Sequence, residues 1–146
     1  MGIFVRQPAR RLLTAASGAS AVEFALVAPI LLLLLCGIVG YGYVLGVYHG
    51  VQQIASEAAR ASIPGLTDAE RETLARAFVA QNAPAYAFLE PARLRVMTAF
   101  SGPPAAAFQV AVVYDMSGSV LHRLGSLVAL PAPLVERRAV IQRGGY

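Results

Sequence analysis

From Phe24 to Tyr48 the chain carries no charged side chain, and Leu31 to Leu35 within that run is unbroken hydrocarbon. About 20 apolar residues in a helix are long enough to cross the hydrocarbon of a bilayer. A cleaved secretory signal has a shorter apolar stretch that ends in a small-residue cleavage site. The run therefore predicts one transmembrane helix that stays in the membrane. What is left of the 146 residues suffices for one small domain with a modest core.

Charge orients this helix. Arg6, Arg10 and Arg11 precede residue 18 with no acid beside them, and without that segment the formal net charge of +4 falls to about +1. The residues just after the span, Tyr48 to Ser56, hold no Lys or Arg. Positive charge collects on the cytoplasmic side of membrane helices, so the N-terminus is expected in the cytoplasm and everything after about Tyr48 in the periplasm. Tyr41, Tyr43 and Tyr48 then fall where aromatic rings settle among headgroups. The remaining basic residues, Arg60 to Arg143, alternate with acids as on a solvated face, and no nucleic-acid partner is expected. The lone Cys36 forms no intrachain disulfide. Lipid attachment requires a small residue before the cysteine, and Leu35 stands there, so Cys36 reads as a small membrane residue.

Two features of the span concern packing. Pro29 lacks an amide hydrogen and its ring crowds the carbonyl of Ala25, which predicts a kink. Gly42, Gly46 and Gly50 recur every four residues and form a smooth strip that either admits a second helix or reflects the general frequency of glycine in membrane helices.

Past the bilayer, good helix formers put Val51, Ile54, Ala55 and Ala58 on one side, so the helix is expected to run on as a stalk to about Ser62, where Pro64-Gly65 stops it. Thr67-Asp-Ala-Glu70 has the form of a capping box opening a second helix to about Asn82, with Leu74, Ala77, Phe78 and Gln81 at helical spacing. Pro84 and Pro91 bracket a loop. Leu94, Val96, Thr98 and Phe100 alternate with Arg95, Met97 and Ala99 as in a strand, Ser101-Gly-Pro-Pro reads as a turn, and Phe108 to Tyr114 reads as a second, more buried strand. Val135 to Arg143 can supply a third strand. Gly125, Pro131 and Pro133 interrupt the apolar segment Val120 to Leu134, which yields no assignment. The fold class expected is α+β: residues 1–18 a leader, 19–63 a transmembrane helix with its periplasmic extension, and 64–146 a small helix and antiparallel-sheet domain.

The most informative short motif is Gly18-Ala-Ser-Ala-Val-Glu23-Phe24, between the arginines and the apolar run. It joins a small-residue cleavage position, a lone acid at the membrane boundary and an aromatic. Glycine adopts extended conformations with little steric conflict, so a membrane protease reaching in from the cytoplasm has a suitable bond between Gly18 and Ala19. Cleavage there removes the arginines and leaves a positive amine on Ala19. An acid at the lipid edge is better paired than alone. Ala19 and Glu23 stand four apart, so the pair can close within one helix, or between the amine of one subunit and the Glu23 of its neighbour. Taken alone, the motif reads more readily as an acid favoured by the dipole of a first helical turn, with Gly18 a loop residue. The arginines before it and the span after it favour the functional reading.

The segment Gly18-Ala-Ser-Ala-Val-Glu23-Phe24-Ala-Leu-Val-Ala-Pro29 resembles the processing and membrane region of TadE-like pseudopilins from tight-adherence (Flp-type) pilus systems, relatives of the type IV pilins. The resemblance runs from about Thr14 to Val47, and past Gly65 it is one of layout and of the Arg138-Ala-Val-Ile-Gln-Arg143 run. It implies cleavage by a prepilin peptidase after Gly18, Glu23 at the fifth mature position, and a minor, priming or assembly role in a pilus. The implied partners are the membrane, the peptidase, other pilins or pseudopilins and the pilus assembly platform proteins. The implied place is the bacterial inner membrane, or an extracellular pilus.

A second resemblance points elsewhere. Val110 to Tyr114 followed by Asp115-Met-Ser117-Gly-Ser119 resembles the strand and metal-binding loop of von Willebrand A domains, whose oxygen ligands suit magnesium or calcium. Such domains draw further ligands from far downstream, and too few residues follow Ser119, so a polar turn is the expected reading. The alternative function is then an uncleaved, membrane-anchored periplasmic binding module with a divalent-cation loop at Asp115, Ser117 and Ser119. His49 and His122 are far apart and have no Cys or carboxylate at ligand spacing, and neither a phosphate loop nor a nucleophile elbow occurs. No enzyme activity and no cofactor are expected.

Overall fold

The computed structural model describes residues 9–102 and 106–142. A helix of 53 residues, α1 (Ala9–Ala61), runs unbroken through Pro29 and leads into α2 (Asp68–Asn82). Three strands follow, β1 (Leu94–Ser101), β2 (Ala107–Asp115) and β3 (Leu134–Gln142), joined as an antiparallel meander in the order β1-β2-β3. Short 3-10 turns occupy Ala83–Ala85, Pro91–Arg93 and His122–Ser126. This is the expected α+β layout. Arg6 and Arg143, with Pro103 and Pro104 of the expected turn, lie outside the described residues.

Alternation sorts the sheet into two faces. Phe100, Phe108 and Ile141 stand in one register row, Thr98, Val110 and Ala139 in the next, then Val96, Val112 and Arg137, then Leu94, Tyr114 and Val135. This face receives the helices, and Phe108, Val110, Val112, Tyr114 and Val135 are buried under them. The opposite face mixes Arg95, Met97, Gln109, Glu136 and Arg138 and is mostly exposed, with an ion pair of 2.6 Å between Arg138 and Glu136.

The second half of α1 is no bare stalk. Val44, Val47, Val51, Ile54, Ala55, Ala58 and Ala59 form one continuous buried stripe, and they are the helical half of the core that β2 and β3 close. The spacing of three and four residues keeps them on one face over more than four turns. Periodicity gave the direction of Val51, Ile54, Ala55 and Ala58. That the same face extends back to Val44, into the charge-free run, was not expected.

The capping box of α2 is present. The Glu70 amide donates to Thr67 Oγ1 at 3.2 Å, and the Thr67 amide donates to Glu70 Oε2 at 3.1 Å. Gly65 before it allows the chain to turn closely, since a Cβ there would sit 2.8 Å from the backbone nitrogen of Arg71. The buried face differs from the expected one. Ala75 and Val79 go inside with Phe78 half-buried, while Leu74, Ala77 and Gln81 are exposed. Close approach to α1 selects small side chains, and spacing alone did not distinguish two overlapping apolar faces. Arg76 ties the helix to the sheet by donating to the Val96 carbonyl at 2.7 Å, while pairing with Glu72 one turn back at 2.8 Å.

A polar link joins the region after α2 to α1. The Tyr86 hydroxyl donates to Glu57 Oε2 at 2.8 Å. Burial, and then the adjoining carboxylate, push the Tyr86 phenol from its usual 10 up to about 12. The folded chain thus holds this proton more tightly than the unfolded one. Its contribution to stability is complete below about pH 10 and is lost as pH rises through about 12. The thermal midpoint of the head is expected to fall across that window, and to fall less in Tyr86→Phe. Equal slopes for the two proteins in a pH series of melting curves would contradict this link.

Candidate assembly site on the amino-terminal helix

From Gly18 to Leu35 almost every residue of α1 is exposed, including Phe24 at 72% and the leucines 31 to 35. The most apolar part of the helix has no share buried inside the molecule, which separates it from the core helix of a soluble domain. Such a surface is stable only against lipid or other apolar helices. It has the length and apolar character of a membrane anchor.

Gly18, Ala19, Glu23 and Phe24 are all exposed at its start. The Gly18 to Ala19 bond lies within the helix, and glycine is the residue that opens a helix at least cost. Among the described residues, nothing lies within 4 Å of where a Gly18 Cβ would be. Ala19 and Glu23 are one turn apart, about 6 Å along the axis, on one side of the helix.

The head begins lower on the helix than the charge pattern implied. A Cβ at Gly37 would meet Val128 at 3.9 Å, and one at Gly40 would meet Leu130 at 3.0 Å. Of the glycine strip, Gly46 faces Phe88, whose ring carbon would lie 2.8 Å from an added Cβ, and Gly50 faces Leu89 at 3.4 Å. At these two positions the smooth surface is taken by the chain's own head, whereas Gly42 faces open space.

The tyrosines are drawn into the same junction. Tyr41 donates to the Ala129 carbonyl at 2.7 Å, Tyr43 meets Phe88 edge to face at 6.2 Å, and the Arg137 guanidinium lies 4.7 Å from the ring centre of Tyr48. Sequence reasoning missed Phe88, Leu89, Val128 and Leu130 as the partners of this helix. The glycines marked where something packs, but nothing in their spacing told what.

The Asp115 loop closes on itself. Asp115 Oδ1 accepts from the Ser117 amide at 2.8 Å, and Ser119 Oγ accepts from the His122 amide at 3.1 Å. The bonds from Ser117, with Arg93 and Arg95 nearby, hold the Asp115 carboxyl below its usual range. Two of the three oxygens that a cation would need are thereby engaged as turn caps. No group of three or more His, Cys, Asp or Glu is placed to hold a metal among the described residues. His49 is exposed on α1, and His122 lies in the turn after Ser119.

An exposed apolar helix with an acid in its N-terminal part, continuous with a compact head, defines an α+β protein carried on a helix of membrane-spanning length. Residues 18–60 match the family model described as TadE-like protein, a likeness that covers the whole of this site. The match begins at Gly18 and ends with α1, leaving α2 and the sheet outside it. No curated protein and no solved structure matches the chain.

Proposed function

We propose that this chain is a minor, pilin-like component of a tight-adherence pilus or a related secretion assembly, and that it works by association through its helix rather than by turnover. A prepilin peptidase cuts after Gly18, with the N-terminus cytoplasmic and the head periplasmic. The new amine on Ala19 pairs with Glu23, within the subunit or across to a neighbouring pilin, and sets the axial register of the helices. Phe24 and the leucines after it supply the apolar contact, and Gly42 remains open to a neighbouring helix.

The observation that carries this reading is the joint placement of Gly18, Ala19 and Glu23 at the exposed start of a long apolar helix that bears the family match. The uncleaved binding module with a cation at Asp115 is less well supported, because Asp115 and Ser119 serve the turn. Deleting the gene is the test. Cells lacking this chain are expected to lose surface pili and to regain them when it is restored, and normal piliation of the deletion strain would contradict the assignment.

A further inference from the structure

The segment between β2 and β3 escaped assignment from sequence, and the structure gives it a place. It leaves Asp115, forms the turn at His122–Ser126, and runs along α1 before entering β3 at Leu134. Val128 lies against Gly37, Leu130 against Gly40, and the Ala129 carbonyl accepts from Tyr41. The segment is thus a strap fixed to the helix at Gly37 to Tyr41.

Helix length decides what surrounds that strap. From Glu23 to Gly37 the helix rises about 21 Å at 1.5 Å per residue. The hydrocarbon core is about 30 Å thick, so with Glu23 at the inner boundary it extends to the neighbourhood of Tyr43. Tilting the helix places still more of it inside. Residues 37–41, and whatever is attached to them, are therefore level with the outer leaflet.

The composition of the strap fits that level. No acid occurs between Asp115 and Glu136. Val120, Leu127 and Leu134 point outward, 77%, 61% and 62% exposed, although they belong to the head. Arg123, the one arginine of the segment, is exposed and long enough to reach phosphates while its stem lies in apolar surroundings. Irregular backbone cannot face the middle of the hydrocarbon, because its polar groups would go unsatisfied, so the strap belongs at the boundary of acyl chains and headgroups.

We propose that Val120 to Leu134 is a second membrane contact, which lies in the outer leaflet beside the transmembrane helix and holds the head at a fixed angle to the bilayer. This rests on the reading of α1 as a membrane span with Glu23 at its inner edge. Gly40 acquires a role in it, since a Cβ there would press on Leu130 at 3.0 Å, whereas one at Gly37 would meet Val128 at ordinary contact distance.

The chain has no tryptophan, so single tryptophans report depth without background. Full-length Leu127→Trp, Leu32→Trp and Leu66→Trp, each in phosphatidylcholine vesicles, are compared without brominated lipid, with lipid brominated near the ester end of the acyl chain, and with lipid brominated near its methyl end, which reads the mid-bilayer level of Leu32. Leu127→Trp is expected to emit to the blue of Leu66→Trp, at the far end of the head, and to lose most of its emission to the lipid brominated near the ester end. An unquenched Leu127→Trp with a quenched Leu32→Trp would overturn the strap proposal and leave the span intact. An unquenched Leu32→Trp would overturn the span and the strap with it. Shielding of Leu127→Trp that grows with protein-to-lipid ratio, without quenching by brominated lipid, would assign the strap to a second copy and equally overturn the proposal.

Discussion

Gly18→Leu is expected to stop maturation completely, so that the protein extracted from membranes keeps its leader and with it Arg6, Arg10 and Arg11. Among the described residues nothing lies within 4 Å of the Gly18 Cβ position, and the residue lies far along α1 from the core that begins at Val44, so leucine there leaves the head undisturbed. It is the protease that meets the added side chain, together with a helix that leucine makes harder to open than glycine does. The consequence extends beyond one bond. Each retained arginine opposes withdrawal of the helix from the membrane, at about 2.5 to 3.5 kcal/mol for a charge carried to mid-bilayer on insertion scales. Intact mass of the extracted protein checks it, and a wild-type mature mass from Gly18→Leu would remove Gly18 from the proposal.

Glu23→Ala is expected to be processed normally and to fail afterwards. A hydrogen bond to a charged group contributes about 1.5 to 3 kcal/mol, which corresponds to roughly a tenfold to a hundredfold loss of affinity for pilin partners. Glu23→Gln keeps the shape and removes the charge, so it should lose nearly as much. Glu23 is exposed and remote from the head, and both variants should melt as the wild type does. Co-purification with pilins from cells that make pili measures the effect. Undiminished recovery with either variant would deny Glu23 its pairing role.

Local signals made much of the fold legible. Thr67 and Glu70 announced α2, alternation through Leu94 to Phe100 and the buried run from Phe108 announced two strands, and Val135 onward supplied the third. These elements are decided by neighbours within a few residues, which is the range over which sequence pattern operates. What stayed hidden depends on distant partners. Ala129 takes its place from Tyr41, 88 residues away, and no periodicity links the two. Likewise Gly46 and Gly50 displayed a strip without disclosing that Phe88 and Leu89 fill it. The face of α2 was misjudged because Leu74 and Phe78 drew attention to bulk, whereas close helix contact favoured Ala75 and Val79.

At the site, Gly18, Ala19, Glu23 and Phe24 were readable as a group because they lie within seven residues of one another on one helix. The Asp115 loop was readable only in part. An acid and two serines are common to cation sites and to capped turns, and the hydrogen bonds of Asp115 and Ser119 are those of a turn. The junction of the head with α1 could not be read from charge alone, since Tyr41 and Tyr43 suit a headgroup belt as well as a junction with Ala129 and Phe88.

The central claim is that the working form of this protein starts with a free amine one helical turn before Glu23. Mass spectrometry of the N-terminal peptide, taken from native protein in cells with an active prepilin peptidase, addresses it directly. The account predicts a peptide that begins at Ala19; one that begins at Met1 would contradict it.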